Sequence, residues 1–204
     1  MFLVWDVVMD DLLRKYNDFL TLMNLEVCYD LENGMSVQFY FKKENFPHLI
    51  GLHKLIDIPV IQRFNDPNNK MVNSRYVNKK ITKGNLTYSV ISNSSHYPKI
   101  QDRYTLFDSE RIKQISYTDI IIDFDKSLLP GTKLIKTKFL LYEQTNGQYS
   151  HLSLGIDNNN SSIYPETFFI DNSSDYIKGQ NTVKVKKVTI INIKDKTVFF
   201  SDTF

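Results

Sequence analysis

The stretch LIKTKFLLYEQTNGQYSHLSLGI, residues 134–156, decides the fold class of this chain. Two apolar segments, Leu134–Tyr142 and Tyr149–Ile156, flank Asn146-Gly147, a dipeptide typical of tight turns. In the second segment, large apolar residues occupy every other position from 152 to 156, which is the period of a half-buried strand. So short a link joins antiparallel neighbours, because a parallel pair needs a longer crossover. The stretch therefore predicts antiparallel sheet.

Further strands are predicted on both sides of this pair. Leu25–Leu31 and Met35–Phe41 flank Asn33-Gly34, the strongest short hairpin signal in the chain. Four more apolar segments after residue 116 have the length and the flanking turn residues of strands. They are Ile120–Phe124, Thr167–Ile170, Val183–Ile193 and Thr197–Ser201.

Helical patterns precede most of these strands. Helical segments are predicted near residues 3–24, 45–54, 71–82, 84–92 and 108–115, with Asn45 and Asp108 as N-caps. Helices first and sheet last is the α+β pattern. We therefore predict one α+β domain over residues 1–204. Its N-terminal helices pack on one face of a C-terminal antiparallel β-sheet, and it has an N-terminal hairpin.

Charge is unevenly distributed although the formal net charge is only +2. Residues 1–31 carry six acids against two bases, whereas residues 70–113 carry nine bases against three acids. Such a polarity can steer a polyanion to one region of a near-neutral protein. A solvated lysine-rich surface is the alternative interpretation.

The single cysteine, Cys28, excludes an intrachain disulfide and fits a reducing compartment. No apolar run approaches the roughly 20 residues that a spanning helix needs. The N-terminus, with three aspartates in its first eleven residues, does not have the pattern of a signal peptide. We expect a cytoplasmic protein without a membrane partner.

Several chemistries are excluded by motif. His48 and His53 are five residues apart, about 140° around a helix, so in a continuous helix they do not form a zinc pair. No phosphate loop and no Gly-x-Ser-x-Gly nucleophile turn is present in the sequence. We therefore predict neither a metal site nor a cofactor.

Acid–base chemistry by histidine and lysine remains. RNA is a suitable substrate because its 2′-OH is an internal nucleophile. The protein must then only move protons and stabilise the charge of the phosphorane. A basic face of the sheet, with His151 on one strand and Lys138 on another, is a candidate binding surface for a single strand of RNA. Simple solvation of that face is the alternative.

Several strings add a family resemblance. They are Phe46–Leu55, Leu152–Ile156, Tyr164–Ile170, Tyr176–Gln180 and Val183–Val188. Together they resemble a family of phage and mobile-element domains in the barnase/EndoU/colicin/RelE-like nuclease superfamily, over roughly residues 36–190. The resemblance implies an N-terminal helix and strand over 1–35 and a nuclease-like core over 36–193. It also implies helices on an antiparallel sheet whose open face RNA crosses.

The resemblance also implies site residues. Matching polar positions of this chain are His48, His53, Lys54, Thr167, Tyr176 and Gln180. His48 is expected to act as general base or acid, with Lys54 or His53 stabilising the phosphate. Thr167 is expected to position the substrate with Gln180 and Tyr176. The structural alternative for His48 is a buried helical turn in which Gly51 permits close packing.

Two other functions are compatible with the sequence. The chain could be a non-enzymatic phage protein that binds and inhibits a host defence or RNA-handling complex through its charged segments. It could also be a toxin that a cognate protein holds inactive, which is compatible with nuclease activity. Cleavage of RNA distinguishes the nuclease from the non-enzymatic binding protein.

Overall fold

A computed structural model describes residues 9–157 and 161–204 of the chain. The helices are α1 (Asp11–Leu20), α2 (Phe46–Leu49), α3 (Ser74–Thr82), α4 (Tyr88–Ser92), α5 (Gln101–Leu106) and α6 (Ser109–Ile115). The strands are β1 (Leu25–Leu31), β2 (Ser36–Tyr40), β3 (Ile120–Asp123), β4 (Thr137–Thr145), β5 (Gln148–Ile156), β6 (Ile163–Asp171), β7 (Asn181–Asn192) and β8 (Val198–Thr203). The predicted α+β class is confirmed.

The strands form one curled antiparallel sheet. Its order is β2-β1-β7-β3-β4-β5-β6, and β8 pairs with β7 outside this path. The two ends of the path, β2 and β6, contact each other, so the sheet bends round on itself. Helix α6 contacts β4 and β5, while α2 and α5 contact β6. Strand β6 is therefore the edge at which sheet and helices meet.

The N-terminal helix is shorter than its predicted range. Helix α1 begins after Asp10, whose carboxylate accepts hydrogen bonds from the backbone N–H groups of Leu12 and Leu13 at 3.1 and 3.3 Å. A 3₁₀ turn over Thr21–Asn24 then leads directly into β1. Residues 3–8 of the predicted helix lie outside the described residues.

An aromatic chain joins this helix to the edge of the sheet. The ring of Phe19 lies 5.5 Å from Phe46, Phe46 lies 5.8 Å from Phe107, and Phe107 lies 5.7 Å from Phe168. Each of these four side chains is fully buried. Tilted and edge-on contacts of this kind stabilise a core beyond the burial of apolar area alone. They hold α2 firmly against β6.

The prediction of one helix over residues 45–54 is wrong. Helix α2 ends at Leu49, Gly51 takes a left-handed conformation with φ +82°, and a separate 3₁₀ turn covers Leu52–Lys54. A left-handed residue ends a helix and redirects the chain. Helical spacing therefore does not apply across Gly51, and the angle expected between His48 and His53 is not realised.

The prediction of an open sheet face is also wrong for strands β3 to β6. A second apolar cluster, built around Ile122, Phe124, Leu134 and Leu140, covers the face opposite the main core. The segments before β4 and after β6 supply part of this cover, including Leu129, Tyr176 and Ile177. Strand β6 is longer than predicted and runs along the boundary between the two cores.

In the described part of the chain, no helix has the length and apolar character of a membrane span.

Candidate active site

A cleft of about 760 Å³ opens where β6 meets the helices. One wall consists of α2, the 3₁₀ turn after it and the start of α5. The other wall consists of β6 and the segment that precedes β4. The lining residues include His48, His53, Lys54, Arg103, Lys133, Lys136, Tyr164, Glu166, Thr167 and Tyr176. Residues far apart in the sequence therefore share one cavity.

The break at Gly51 brings the two histidines together. The ring centroids of His48 and His53 are 5.5 Å apart, and His48 also packs 4.6 Å from the ring of Phe64. Asn45 ties this segment to the opposite wall, because its amide donates a hydrogen bond of 2.9 Å to the carbonyl of Pro165. The segment that carries His48 is thus tied to β6.

Burial keeps both imidazoles neutral. Burial, followed by the positive charge of Lys136, lowers the pKa of His48 to about 4. Burial also lowers the pKa of His53 to about 3, assisted by the charges of His48, Arg103 and Lys54. A neutral imidazole at neutral pH can accept a proton.

Lys54 is suited to donate a proton, which complements the two neutral imidazoles. Burial, followed by the charges of Arg103, Lys133 and Lys99, lowers the pKa of its ammonium group to about 8. At neutral pH the group is still mostly protonated, yet it releases a proton far more readily than an ordinary lysine does. The cleft therefore holds a proton acceptor and a proton donor on the same short segment.

The opposite wall presents oxygen atoms. Glu166 accepts hydrogen bonds from the hydroxyl groups of Thr137 at 3.0 Å and Ser153 at 3.2 Å, which fixes its carboxylate on the sheet side. Thr167 follows it on β6 and lines the cleft. Hydroxyl and carboxylate groups on this wall thus face the wall that carries His48, Lys54 and Arg103.

Comparison with protein families gives a match over most of the chain. The family described as phage-Barnase-EndoU-ColicinE5/D-RelE like nuclease4 matches residues 11–198. The chain belongs to this family. The resemblance inferred from the sequence is confirmed and extends further toward both termini than the predicted range of 36–190. No curated protein and no solved structure matches the chain.

Membership of this phage nuclease family gives the cleft a context. The matched range contains all of its lining residues. Of the site residues expected from the resemblance, five lie in the cleft: His48, His53, Lys54, Thr167 and Tyr176. Their catalytic or binding roles remain predictions.

Three predicted binding residues of the chain lie outside the cleft. Gln180 is buried, and its amide exchanges hydrogen bonds of 2.7 and 3.0 Å with the backbone of Asp125. Lys138 forms an ion pair with Asp123 on the neighbouring strand. Both side chains already have partners in the structure, and neither lines the cleft, so their substrate-binding roles stay predictions that this cleft does not support.

His151 is the third predicted binding residue that lies outside the cleft. Its side chain is fully buried in the second core, with its ring stacked 4.6 Å from Phe169 and packed 5.7 Å from Tyr176. Neither ring nitrogen has a hydrogen-bond partner among the described residues. The residue expected on an open face is thus sealed beneath the cleft by two of its lining side chains.

Replacing His151 by phenylalanine should stabilise the protein, above all in acid. Burial lowers the pKa of His151 from 6.5 to about 4. The unfolded chain therefore binds this proton first, and the native state loses stability as pH falls from about 6.5 toward 4. Removing a buried imidazole without partners should raise the free energy of unfolding by about 1 kcal/mol at pH 7 and by more at pH 5.

Urea unfolding of both proteins at pH 7 and pH 5 measures this difference. His96→Phe, at a partly exposed histidine outside both cores, is the control. A His151→Phe variant that is less stable than the wild type at pH 5 contradicts the prediction.

Sequence reasoning missed Arg103. It begins no recognisable motif, and the short helix α5 that carries it was not predicted. Its membership of the basic segment 70–113 was the one available signal. The structure places its side chain, 8% exposed, directly behind Gly51.

Gly51→Ala should destabilise the protein through two effects. A left-handed backbone costs ~1–2 kcal/mol for a residue with a Cβ. The new Cβ would also lie 2.9 Å from Nη1 of Arg103 and 2.9 Å from Cγ2 of Ile100, and overpacking of this kind costs ~1–3 kcal/mol.

Gly84→Ala is the matched control, because Gly84 has φ +68° but an added Cβ there meets nothing within 4 Å. Chemical unfolding should show the larger loss for Gly51→Ala. Equal losses in the two variants would mean that the Gly51–Arg103 contact has no energetic effect.

Proposed function

We propose that this phage nuclease is a metal-independent endoribonuclease that cleaves RNA by attack of the 2′-OH on the adjacent phosphate. The observation that carries the proposal is the meeting of His48, His53, Lys54 and Thr167 in one cleft. These side chains supply the proton acceptor, the cation and the hydroxyl that the reaction requires.

His48 is assigned as the general base. Its pKa of about 4 leaves the imidazole neutral at physiological pH, so its lone pair is free to take the proton of the 2′-OH, although it is a weaker base than an ordinary histidine. His53 packs against it and positions its ring. The 2′-oxygen then attacks the phosphorus, and a phosphorane with additional negative charge develops.

Lys54 is assigned two roles: it stabilises that charge and it protonates the leaving group. Its ammonium stabilises the phosphorane oxygens, and a pKa of about 8 suits it to protonate the departing 5′-oxygen. Thr167 and Tyr176 are assigned to positioning the ribose and the base. The products are a 2′,3′-cyclic phosphate and a free 5′-OH.

The test is cleavage of a synthetic RNA in the presence of EDTA, with analysis of the new ends. Cleavage that leaves 2′,3′-cyclic phosphates supports the proposal. The matched control is the same sequence with 2′-O-methyl riboses, which keeps the charge but lacks the nucleophile. Cleavage of the methylated strand, or a strict requirement for a divalent ion, contradicts the mechanism.

A folded protein that cleaves no RNA would favour the alternative, a phage protein that binds and inhibits a host complex. RNA is the partner that the nuclease proposal requires. A cytoplasmic location and an inhibitory protein partner belong to the same proposal, and pull-down with and without RNase treatment of the lysate tests them.

A further inference from the structure

Arg103 is a buried cation without a counterion. Its side chain is 8% exposed, and Nη1 is fully buried and has no hydrogen-bond partner among the described residues. Within the same residues, no carboxylate lies within ion-pair distance of the guanidinium. A buried charge is ordinarily paired, because removing it from water has a large energetic cost.

The charged groups near Arg103 increase this cost. Its charge lowers the pKa values of both His53 and Lys54, which places all three groups in one electrostatic neighbourhood. Lys133 and Lys99 act on Lys54 in the same direction. Burial alone lowers the pKa of Arg103 to about 10, so the guanidinium remains charged at neutral pH.

The carboxylates that line the cleft do not compensate this charge. Glu166 is held by the hydroxyl groups of Thr137 and Ser153 on the sheet wall. Asp171 accepts a hydrogen bond from Ser173 at the far end of β6. Asp102, although adjacent in sequence, forms no ion pair with Arg103 in the described structure.

The backbone makes room for this guanidinium. A Cβ at residue 51 would lie 2.9 Å from Nη1 and 3.2 Å from Cδ of Arg103. A glycine with φ +82° therefore allows the main chain of the histidine segment to pack directly on the guanidinium. A planar guanidinium held in this way can present a fixed pair of donors to an oxyanion.

We propose that Arg103, together with Lys54, forms a phosphate-binding site in the floor of the cleft, and that an RNA phosphodiester supplies the missing counterion. Arg103 lines the cleft and is a binding residue for the phosphate oxygens, which it contacts through N–H groups other than those of the buried Nη1. The assignment of the anion to RNA rests on the proposed function. The existence of the anion site does not.

The test measures binding of two probes, inorganic phosphate and uridine 3′-phosphate, by calorimetry at constant ionic strength. Arg103→Met removes the charge while keeping a long side chain, and it should weaken binding of both probes at least tenfold. Arg103→Lys retains the charge but lacks the paired donors, and it should fall between the wild type and Arg103→Met.

Lys99→Met is the matched control, since it removes one positive charge from an exposed residue of the same cleft. It should change binding less than threefold. Equal losses for Lys99→Met and Arg103→Met would show attraction by net charge alone and would overturn the site. Unchanged phosphate binding by Arg103→Met would overturn it as well.

Melting temperatures measured without phosphate show whether the Arg103→Met variant is folded. Replacing an unpaired buried charge by an apolar side chain should leave the melting temperature of Arg103→Met equal to or above that of the wild type. Phosphate should raise the melting temperature of the wild type but not that of Arg103→Met. If the wild type shows no such rise and no calorimetric binding, the inference is wrong.

Different results would contradict the endoribonuclease proposal and the phosphate-site proposal. Phosphate binding that depends on Arg103, without any cleavage of RNA, would contradict the proposed function and leave the anion site in place. Cleavage of RNA with full phosphate binding by Arg103→Met would leave the nuclease in place and remove the site.

Discussion

His48→Ala should lower the rate of RNA cleavage by about 100- to 10,000-fold, the range expected when a general base is removed. The imidazole is neutral, lies in the cleft and is packed between His53 and Phe64. Alanine cannot take the 2′-OH proton, so the loss should appear in the cleavage rate at saturating RNA. Single-turnover kinetics with a fluorescent RNA measure it.

His96→Ala is the matched control, because it removes an imidazole that does not line the cleft. It should retain the wild-type rate, and circular dichroism should show that both variants are folded. A folded His48→Ala protein that cleaves RNA within threefold of the wild-type rate would exclude His48 as the base. The structural interpretation of its helical turn would then be preferred.

Lys54→Met should lower cleavage by about 100- to 1,000-fold, since it removes a charge that stabilises the phosphorane.

The wild-type rate should rise as pH increases through about 4, where His48 becomes neutral. The rate should fall above about pH 8, where Lys54 loses its proton. A plateau between these limits is the expected profile.

Lys54→Arg separates the two roles assigned to this residue. Arginine stays charged at pH 8, so a purely electrostatic role predicts an active variant whose alkaline decline moves to higher pH. A proton-donor role predicts a slow variant, because a guanidinium gives up its proton poorly. A wild-type rate that stays constant from pH 7 to pH 10 would contradict both roles.

The cleft explains why one glycine matters to the site as well as to stability. Gly51 ends α2, brings His53 near His48 and allows Arg103 to pack beneath them. A single backbone conformation thus positions the proposed base and the proposed phosphate-binding group. Gly51→Ala should therefore affect catalysis even where the protein remains folded.

Local pattern was sufficient for the class of the fold. Alternating apolar residues from 152 to 156 and the Asn146-Gly147 turn predicted an antiparallel pair that the structure contains as β4 and β5. The two turn residues have positive φ, as tight hairpin turns require. Asp108 likewise caps α6, accepting a hydrogen bond of 2.8 Å from the N–H of Arg111. These signals depend on neighbours along the chain.

The candidate site was predicted only in part, because sequence signals of this kind depend on neighbours along the chain. His48, His53 and Lys54 were found because they lie in one short string that resembles a nuclease family. Gln180 was assigned to binding because its string also matched, and His151 because strand alternation placed it on an expected open face, but both side chains are buried. A sequence string does not show which face of a strand a second core will cover.

Sequence alone thus established an α+β chain with antiparallel strands, its main turns and its family, because these follow from patterns between near neighbours and from matching strings. Tertiary packing decided the site. It broke the predicted helix at Gly51, closed the sheet face above His151, and placed Arg103 behind residues 48–54. The physical reason is that burial and charge pairing arise between segments 50 to 120 residues apart, whose contacts no local period encodes.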